Sequence, residues 1–286
     1  MRRRNAPSRR RGATTHARRP GPRLRQRVRG RLPAPGRIAA VMLTAALAAG
    51  LLALINGPWL RVEQVAWAGG RYTGDRQIER AVAGLHGAAI LTVDATGLAG
   101  RLGQLPAVAS VQVDTILPGA VRIHIVEKSP TFVWQTALVR LLGVADGTLI
   151  GQLALGPALP ADAAALPLIE DHRAASHDLT VGDRIDASTL AAALRLAGVA
   201  PPTLGSASPH LDVQLTDDDG FLLVSPSHGW QADFGFYPAL DTGELGTLDQ
   251  RVAAQVAAVR TLFSFHPEGG VSWVDARDPG RVYWRP

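Results

Sequence analysis

Residues 105–134 read LPAVASVQVDTILPGAVRIHIVEKSPTFVW, and the alternation of apolar and polar residues here decides the fold of this region. Val111 and Val113 alternate with polar residues, which predicts a strand. Leu117-Pro118-Gly119 predicts a turn, and apolar residues alternate again from Val121 to Ile125. The stretch therefore predicts two strands joined by a short turn, with His124 on the exposed face.

Two amphipathic helices are predicted before this pair of strands. Ile78 begins an apolar pattern at i, i+3, i+4 and i+7, which is typical of one helix face, and Thr73 or Asp75 could cap it. A second helix is predicted from about Asp94 to Pro106. With a strand at Leu60–Trp67, residues 60–128 give the order β-α-α-β-β, a small α+β unit with helices on one sheet face.

The chain after Pro130 is mostly β in pattern, and we expect a β-domain over residues 130–286. A helix containing Leu190 and Ala197 ends at Gly198, and a longer amphipathic helix runs from Leu248 to Phe263. The predicted strands are Phe132–Gln135, Leu138–Val144, Leu166–Ile169, Leu179–Val181, Leu211–Leu215, Phe221–Val224, Val271–Val274 and Arg281–Trp284. The predicted fold class is therefore α+β throughout.

Residues 38–55, IAAVMLTAALAAGLLALI, carry no charge. A helix of that length covers about 27 Å, close to the hydrocarbon core of a bilayer. We predict a transmembrane helix over residues 38–58, with Trp59 at the far interface. All 14 arginines of residues 1–37 precede it without any acid, so the positive-inside rule places the N-terminus in the cytoplasm and the remaining chain outside.

A cleaved signal peptide is the alternative to an anchor. Its apolar region would be shorter, its leader shorter and its small cleavage-site residues would follow the apolar run. Here Ala46 and Ala48 lie inside the run, and we favour the anchor. The protein is therefore predicted to be a single-pass protein of the cytoplasmic (inner) membrane.

The basic tail, residues 1–37, dominates the charge of the chain. The whole chain carries +6, but the 16 Lys and Arg residues after the tail stand against 24 acids, so residues 38–286 carry about −8. A tail of Arg, Pro, Gly and Ser cannot bury a core, and we expect it to be disordered. It could contact anionic lipid of the inner leaflet, a protein partner or nucleic acid. We favour a tail that sets the membrane topology and contacts lipid, and we expect it to bind no specific nucleic acid.

No residue pattern indicates catalysis, and no cofactor or metal site is predicted. The chain has no cysteine, which excludes thiol catalysis and thiolate metal sites. His172 and His177 lie among acids but lack the spacing of a zinc protease, and we expect a solvated loop. Asp217–Gly220 lacks the acid that a calcium loop needs at its last position, and we expect a hairpin turn.

The chain resembles the FtsQ/DivIB cell-division family in two blocks. Residues 105–134 look like the end of the family's polypeptide-transport-associated (POTRA) domain, including the exit Glu127-Lys128-Ser129-Pro130. Residues 271–277, VSWVDAR, look like its penultimate strand, and Val282-Tyr283-Trp284 looks like its last one. The resemblance spans residues 38–286 and is loose over about 145–205. It departs from the family at Asp114-Thr115 and at Asp278.

The resemblance implies a non-enzymatic scaffold at the division septum. Such proteins join FtsB and FtsL, two small single-span coiled-coil proteins, and help control septal peptidoglycan synthesis. FtsB adds a strand to the last strand of the β-domain. The residues hypothesised to mark this face are Asp278, Gly280, Val282, Tyr283 and Trp284.

An edge strand independently favours this binding mode, because its unpaired N–H and C=O groups can be satisfied by an extended peptide. Tyr283 and Trp284 are residue types that anchor interfaces. We expect Trp273 to lie in the core. In the POTRA domain, the strands Val121–Glu127 and around Val111 are the expected docking edges.

Three other classes of protein remain as alternatives. A membrane-anchored envelope hydrolase would depend on His172 or His177. A POTRA-containing assembly factor of the outer membrane would need more length than this chain has. A DNA-tethering membrane protein would use the tail.

Overall fold

The computed structural model describes residues 35–156, 158–237, 247–278 and 280–286. The predicted basic tail lies outside the described residues except for its last three positions. The fold is mixed α+β, as predicted.

One helix of the described chain is long and apolar enough to cross a membrane. This helix, α1, covers Pro35–Asn56. Its 22 residues extend about 33 Å at 1.5 Å per residue. Over Gly36–Ala53 the mean hydropathy is 1.8, and none of this segment is buried. The hydroxyl of Thr44 donates to the carbonyl of Ala40, which satisfies a polar group that lipid could not. The helix is consistent with a transmembrane anchor.

Residues 60–128 form three strands and two helices in the predicted order. The elements are β1 (Gln64–Ala68), α2 (Asp75–Val82), α3 (Ala95–Gly103), β2 (Val108–Ile116) and β3 (Ala120–Glu127). The sheet order is β1-β3-β2, with β1 parallel and β2 antiparallel to β3. The core contains Ile78, Val82, Leu98, Leu102, Val121, Ile123 and Ile125. Arg122 and His124 alternate with that core and are exposed, as predicted for His124.

The helix caps agree with the sequence only in part. Asp94 accepts a hydrogen bond from the Gly97 N–H, which satisfies a free amide of the first turn of α3. The predicted cap of α2 is wrong, because Gly74 occupies that position and no side chain caps it. Thr73 is buried instead, and Asp75 is the first helical residue.

The described part of residues 130–286 forms a nine-stranded sheet with two α-helices. The strands are β4 (Phe132–Thr136), β5 (Arg140–Gly143), β6 (Leu149–Leu153), β7 (Leu168–Asp171), β8 (Asp212–Thr216), β9 (Gly220–Val224), β10 (Gln231–Gly235), β11 (Trp273–Asp275) and β12 (Tyr283–Arg285). The helices are α4 (Ala187–Ala197) and α5 (Leu248–Phe265). The order across the sheet is β12-β11-β10-β9-β8-β7-β4-β5-β6.

The core of this sheet lies on the side of α4 and α5. Phe132, Trp134, Trp230 and Phe234 are fully buried there, and the helices contribute residues such as Leu196 and Val259 to the same cluster. The pairs β4–β7, β7–β8 and β10–β11 are parallel, whereas the hairpin β8–β9 is antiparallel. Residues 217–219 form its turn, so the predicted hairpin is confirmed.

One predicted strand is absent from the structure, and two strands of the structure were not predicted. Leu179–Val181 is not a strand; it follows a 3-10 turn at Ala174–Asp178. Strands β6 and β10 have no counterpart in the prediction. Strand β6 pairs antiparallel with the neighbouring β5, and β10 pairs antiparallel with β9 and in parallel with β11 about forty residues later in the chain.

A third apolar cluster joins the unit at residues 60–128 to the β-domain. It contains Ala107 together with Val133 and Ile150, and Tyr72 packs against it. The carboxylate of Glu127 accepts hydrogen bonds from the backbone N–H groups of Arg71, Tyr72 and Thr73. This clamp holds the loop that carries Tyr72, and Arg71 forms an ion pair with Asp162 of the β-domain.

Candidate partner-binding edge

Strand β12 lies at one end of the nine-stranded sheet. It pairs antiparallel with β11, and Asp275, Val274 and Trp273 face Tyr283, Trp284 and Arg285. Within the described residues, no strand pairs with its other side. All three residues of β12 are exposed, with Tyr283 at 59% and Trp284 at 36%. The last strand therefore presents an open edge with two aromatic side chains.

The side chains of β12 divide between the two faces of the sheet. Trp284 is opposite Val274, which is buried in the core, and its ring centroid lies 4.3 Å from that of His266, just after α5. Val282 packs against the core cluster. Tyr283 and Arg285 lie on the other face, where the Arg285 guanidinium lies 4.5 Å from the ring centroid of Trp273.

Trp273 lies on the face opposite the core, so its predicted core position is wrong. Its strand alternates, and Val274 takes the core side. The indole N–H of Trp273 donates to Asp233 Oδ2 at 2.8 Å. Asp233 is 1% exposed, and its other oxygen, Oδ1, has no hydrogen-bond partner among the described residues. Burial, partly offset by the indole N–H, raises the pKa of Asp233.

The turn before β12 begins with an ion pair. Arg277 donates to both carboxylate oxygens of Asp275, and this interaction lowers the pKa of Asp275. The N–H of Arg281 donates to the carbonyl of Asp278 at 3.1 Å. Gly280 has a φ of +85°, a left-handed conformation that favours glycine. Gly280 thus lies in the turn that precedes β12.

The structure places all five predicted site residues in one continuous segment. Asp278, Gly280, Tyr283 and Trp284 are exposed, and Val282 is half-buried. These positions are compatible with the hypothesised partner contact, which remains a prediction.

An apolar groove of about 610 Å³ lies beside β12. The residues of α5 that line it were not predicted from the sequence as part of the site. Gly280 and Val282 line it together with Phe265 and His266. Phe265 is 78% exposed at the end of α5. The sequence did contain a signal for Phe265, because it is a large aromatic residue just after the end of the predicted helix and outside its apolar face.

Strand Val121–Glu127 was predicted to be a docking edge, and this prediction is wrong. This strand is β3, and it lies between β1 and β2 in the three-stranded sheet. Both of its sides are paired, so it cannot accept another strand. Strand β2, which contains Val111, does lie at an edge of this sheet.

The histidine-rich stretch is only partly a solvated loop. Glu170 and Asp171 end strand β7, and Asp171 is fully buried, where it accepts hydrogen bonds from Trp134 Nε1 and from Arg173. His172 and His177 are exposed. No group of three or more metal-binding side chains occurs within the described ranges.

A polar network near residue 228 unites a serine, a histidine and an acid. His228 Nδ1 lies 3.2 Å from Ser208 Oγ and 3.0 Å from Ser227 Oγ, and its Nε2 lies 3.3 Å from Glu268. Glu268 also accepts from Trp230 Nε1. Burial opposes ionisation of Glu268, but its hydrogen-bond donors outweigh it and lower its pKa. The network joins the turn after β9 to the segment before β11.

Comparison with known proteins identifies the N-terminal unit. Residues 60–128 match the family model described as "POTRA domain, FtsQ-type". The chain is also similar to the cell division protein FtsQ of Streptomyces venezuelae, with 35% identity over 85 residues. That alignment covers 29% of this chain and 31% of the relative, so the matched segment spans about a third of that protein.

Residues 60–128 are therefore a POTRA domain of the FtsQ type. The domain match and the FtsQ relative together confirm the predicted resemblance to the FtsQ/DivIB family.

Proposed function

We propose that this protein is a non-enzymatic, single-pass scaffold of the bacterial division septum. It links FtsB- and FtsL-type partners and helps control septal peptidoglycan synthesis. The FtsQ-type POTRA domain and the FtsQ relative support a role in cell division. The POTRA domain at 60–128 and the β-domain at 130–286 act outside the cytoplasmic membrane, with the basic tail inside.

The observation that carries the proposed binding mode is the open edge of β12. An extended partner segment would extend the sheet by one strand, and its main chain would satisfy the free N–H and C=O groups of β12. Alternate side chains of that segment would contact Tyr283 and Arg285 on one face and Trp284 on the other. Asp278 and Gly280 form the turn that delivers β12 to this position.

The anchor orientation follows from charge. Helix α1 is uncharged after Arg37, and Glu63 is the first acid of the chain. The arginines before α1 hold the N-terminus at the anionic inner leaflet.

Capture of the partner tests the binding mode. The full chain and a variant lacking residues 279–286 are each co-expressed with the FtsB-type protein of the same organism and recovered by an affinity tag. We expect the deletion to abolish capture. Leu138→Ala serves as the control, because Leu138 is 61% exposed in the turn between β4 and β5, away from β12. Undiminished capture by the deletion variant would refute strand addition.

A further inference from the structure

The exposed apolar residues of the POTRA domain gather in three short segments, residues 57–61, 87–92 and 115–119, which we call the apolar end. Between residues 57 and 128, the large apolar side chains exposed in the structure are Trp59, Leu91, Ile116, Leu117 and Val126. All except Val126 lie in these segments. Single exposed apolar residues are normal, but several at one place indicate an interaction surface.

Backbone contacts hold the three segments together. The N–H of Val62 donates to the carbonyl of Ala88 at 2.9 Å, and the N–H of Glu63 donates to the carbonyl of Gly119 at 2.8 Å. A Cβ at Gly119 would lie 2.4 Å from the carbonyl oxygen of Arg61, so the turn approaches this closely only because it has a glycine there. The segments therefore meet at one place.

The topology of the sheet sets the direction in which the apolar end points. Strand β3 is parallel to β1 and β2 is antiparallel to β3, so the turn between β2 and β3 lies beside the start of β1. Arg61 and Ala89 form an antiparallel bridge, so the chain runs from Ala89 to Leu91 in the direction that leads from Arg61 back to Trp59. Leu91 and Leu117 therefore lie on the side from which the chain enters β1.

The chain enters β1 from the end of the membrane helix. Helix α1 ends at Asn56, three residues before Trp59. A chain advances at most about 3.6 Å per residue, so Trp59 lies within about 11 Å of that end. Because α1 is the membrane anchor in the proposed function, the apolar end lies at the surface of the bilayer, where Trp is favoured.

The charges of the apolar end also suit a bilayer surface. Its three segments contain no acid and one base, Arg61. The Nη1 of Arg61 donates to the carbonyl of Gly87 at 3.3 Å, and Arg61 forms no ion pair with any residue that the structure describes. A guanidinium group binds phosphate well. Apolar side chains around one free guanidinium match lipid tails and lipid phosphates at the interface.

We propose that the apolar end is a second membrane contact, which rests on the bilayer beside the anchor. Leu91, Ile116 and Leu117 insert shallowly among the lipid head groups around Trp59, and Arg61 binds lipid phosphate. This contact fixes the orientation of the POTRA domain on the membrane. The inference rests on the membrane anchor of the proposed function and does not depend on the FtsB-type partner.

Lipid contact can be measured one residue at a time, because the chain has no cysteine of its own. Leu117→Cys and Leu91→Cys are each made in the full-length chain, labelled with a nitrobenzoxadiazole fluorophore and reconstituted into vesicles of phosphatidylethanolamine and phosphatidylglycerol. A nitroxide near the head group of a fraction of the lipids quenches a label that reaches them. Since interfacial groups lie about 5–10 Å deep, we expect both labels to be quenched about threefold more than a control label.

Val126→Cys is the matched control. Val126 is 58% exposed and Leu117 is 62% exposed, so both labels are equally open to solvent. Val126 lies near the far end of β3, six residues after Ala120, which places it about 20 Å farther along the strand. Its label should be quenched little.

A charge in the apolar end gives a second test. With the label at position 91, Leu117→Asp should lower the quenching by about half, because a charged side chain opposes insertion of the whole apolar end. Val126→Asp with the same label should leave the quenching unchanged. Thermal melting of each variant shows that the domain remains folded.

The outcomes separate this inference from the proposed function. Labels at positions 91 and 117 that are quenched no more than the label at position 126 contradict lipid contact, and the apolar end then fits a protein partner. In the same vesicles, resistance of the parent chain to carbonate extraction would leave the membrane anchor standing. Release of the parent chain by carbonate would contradict the anchor, and the second contact would fail with it.

Discussion

Gln255 Nε2 donates a hydrogen bond to the carbonyl oxygen of Ala276 at 2.8 Å. The same nitrogen donates to the carbonyl of Phe234, and Gln255 Oε1 accepts from the Tyr237 hydroxyl at 2.6 Å. Gln255 is fully buried. Because Ala276 directly follows β11, this one side chain fastens α5 to the strand that carries the edge β12.

Gln255→Leu should destabilise the protein by about 2–3 kcal/mol. It leaves a buried hydroxyl and two buried carbonyls without their partner, and such groups cost about 1–3 kcal/mol each before relaxation. Burial also raises the pKa of Tyr237. Its hydroxyl therefore stays protonated in the variant and remains a buried donor without an acceptor. Urea unfolding of the extramembrane part measures the change. Gln112→Leu, at an exposed position on β2, should stay within about 0.5 kcal/mol. Equal stability of the two variants would count against this role of Gln255.

Glu127→Gln should loosen the loop between β1 and α2, which carries Tyr72 against the third apolar cluster. Burial opposes ionisation of Glu127, but the backbone N–H groups of residues 71–73 outweigh it and hold its pKa below the ordinary value of 4.5. The carboxylate therefore stabilises the fold above about pH 4.5, and this stabilisation is lost as the pH falls through the lowered pKa.

We expect Glu127→Gln to cost about 2 kcal/mol at pH 7 and progressively less below pH 4. Thermal melting at both pH values checks this, with the exposed Glu63→Gln as control. A loss that does not depend on pH would show that charge is not the cause.

Gly69→Ala should destabilise the POTRA domain, whereas Gly74→Ala should not. Gly69 has a φ of +89°, and a Cβ there would lie 2.0 Å from the carbonyl oxygen of Ile125. Gly74 has a φ of −64° and no atom within 4 Å of an added Cβ. Strain of this kind costs about 1–3 kcal/mol. Unfolding of the two variants side by side measures it, and a tolerated Gly69→Ala would contradict the close approach to β3.

Asp233→Asn and Asp275→Asn should act in opposite directions although the two residues face each other on β10 and β11. The raised pKa of Asp233 means that the folded state disfavours its charge, so parent stability falls as the pH rises through that pKa. Asn should therefore stabilise by about 1 kcal/mol at pH 8, with less gain at pH 4. Asp275→Asn removes the pair with Arg277 and should destabilise at pH 8. Melting temperatures of both variants and the parent at pH 4 and pH 8 test this. A lower melting temperature of Asp233→Asn than of the parent at pH 8 would contradict it.

The fold of the POTRA domain was predictable because its signals are local. The alternation of Val121, Ile123 and Ile125, the helix pattern from Ile78 and the turn at Pro118 each lie within one element. The position of β3 was not predictable in the same way. A pattern identifies a strand, but the neighbour of that strand is set by packing, and β1 returns to pair with β3 from more than fifty residues away.

The candidate edge shows the same division between local and distant information. Val282, Tyr283 and Trp284 were predicted as a strand, and a strand is present there. Trp273 was predicted to lie in the core, but Val274 takes the core side of β11, and the indole N–H of Trp273 donates to the buried carboxylate of Asp233 on the other face. The groove beside β12 depends on how α5 packs beside the last strand, which no local pattern of the sequence encodes.

The most direct test of the central claim is the position of the protein in dividing cells. A fluorescent fusion of the full-length chain at its N-terminus is followed at native expression level by microscopy. The septal scaffold predicts enrichment at midcell during constriction. An even distribution around the membrane would contradict it.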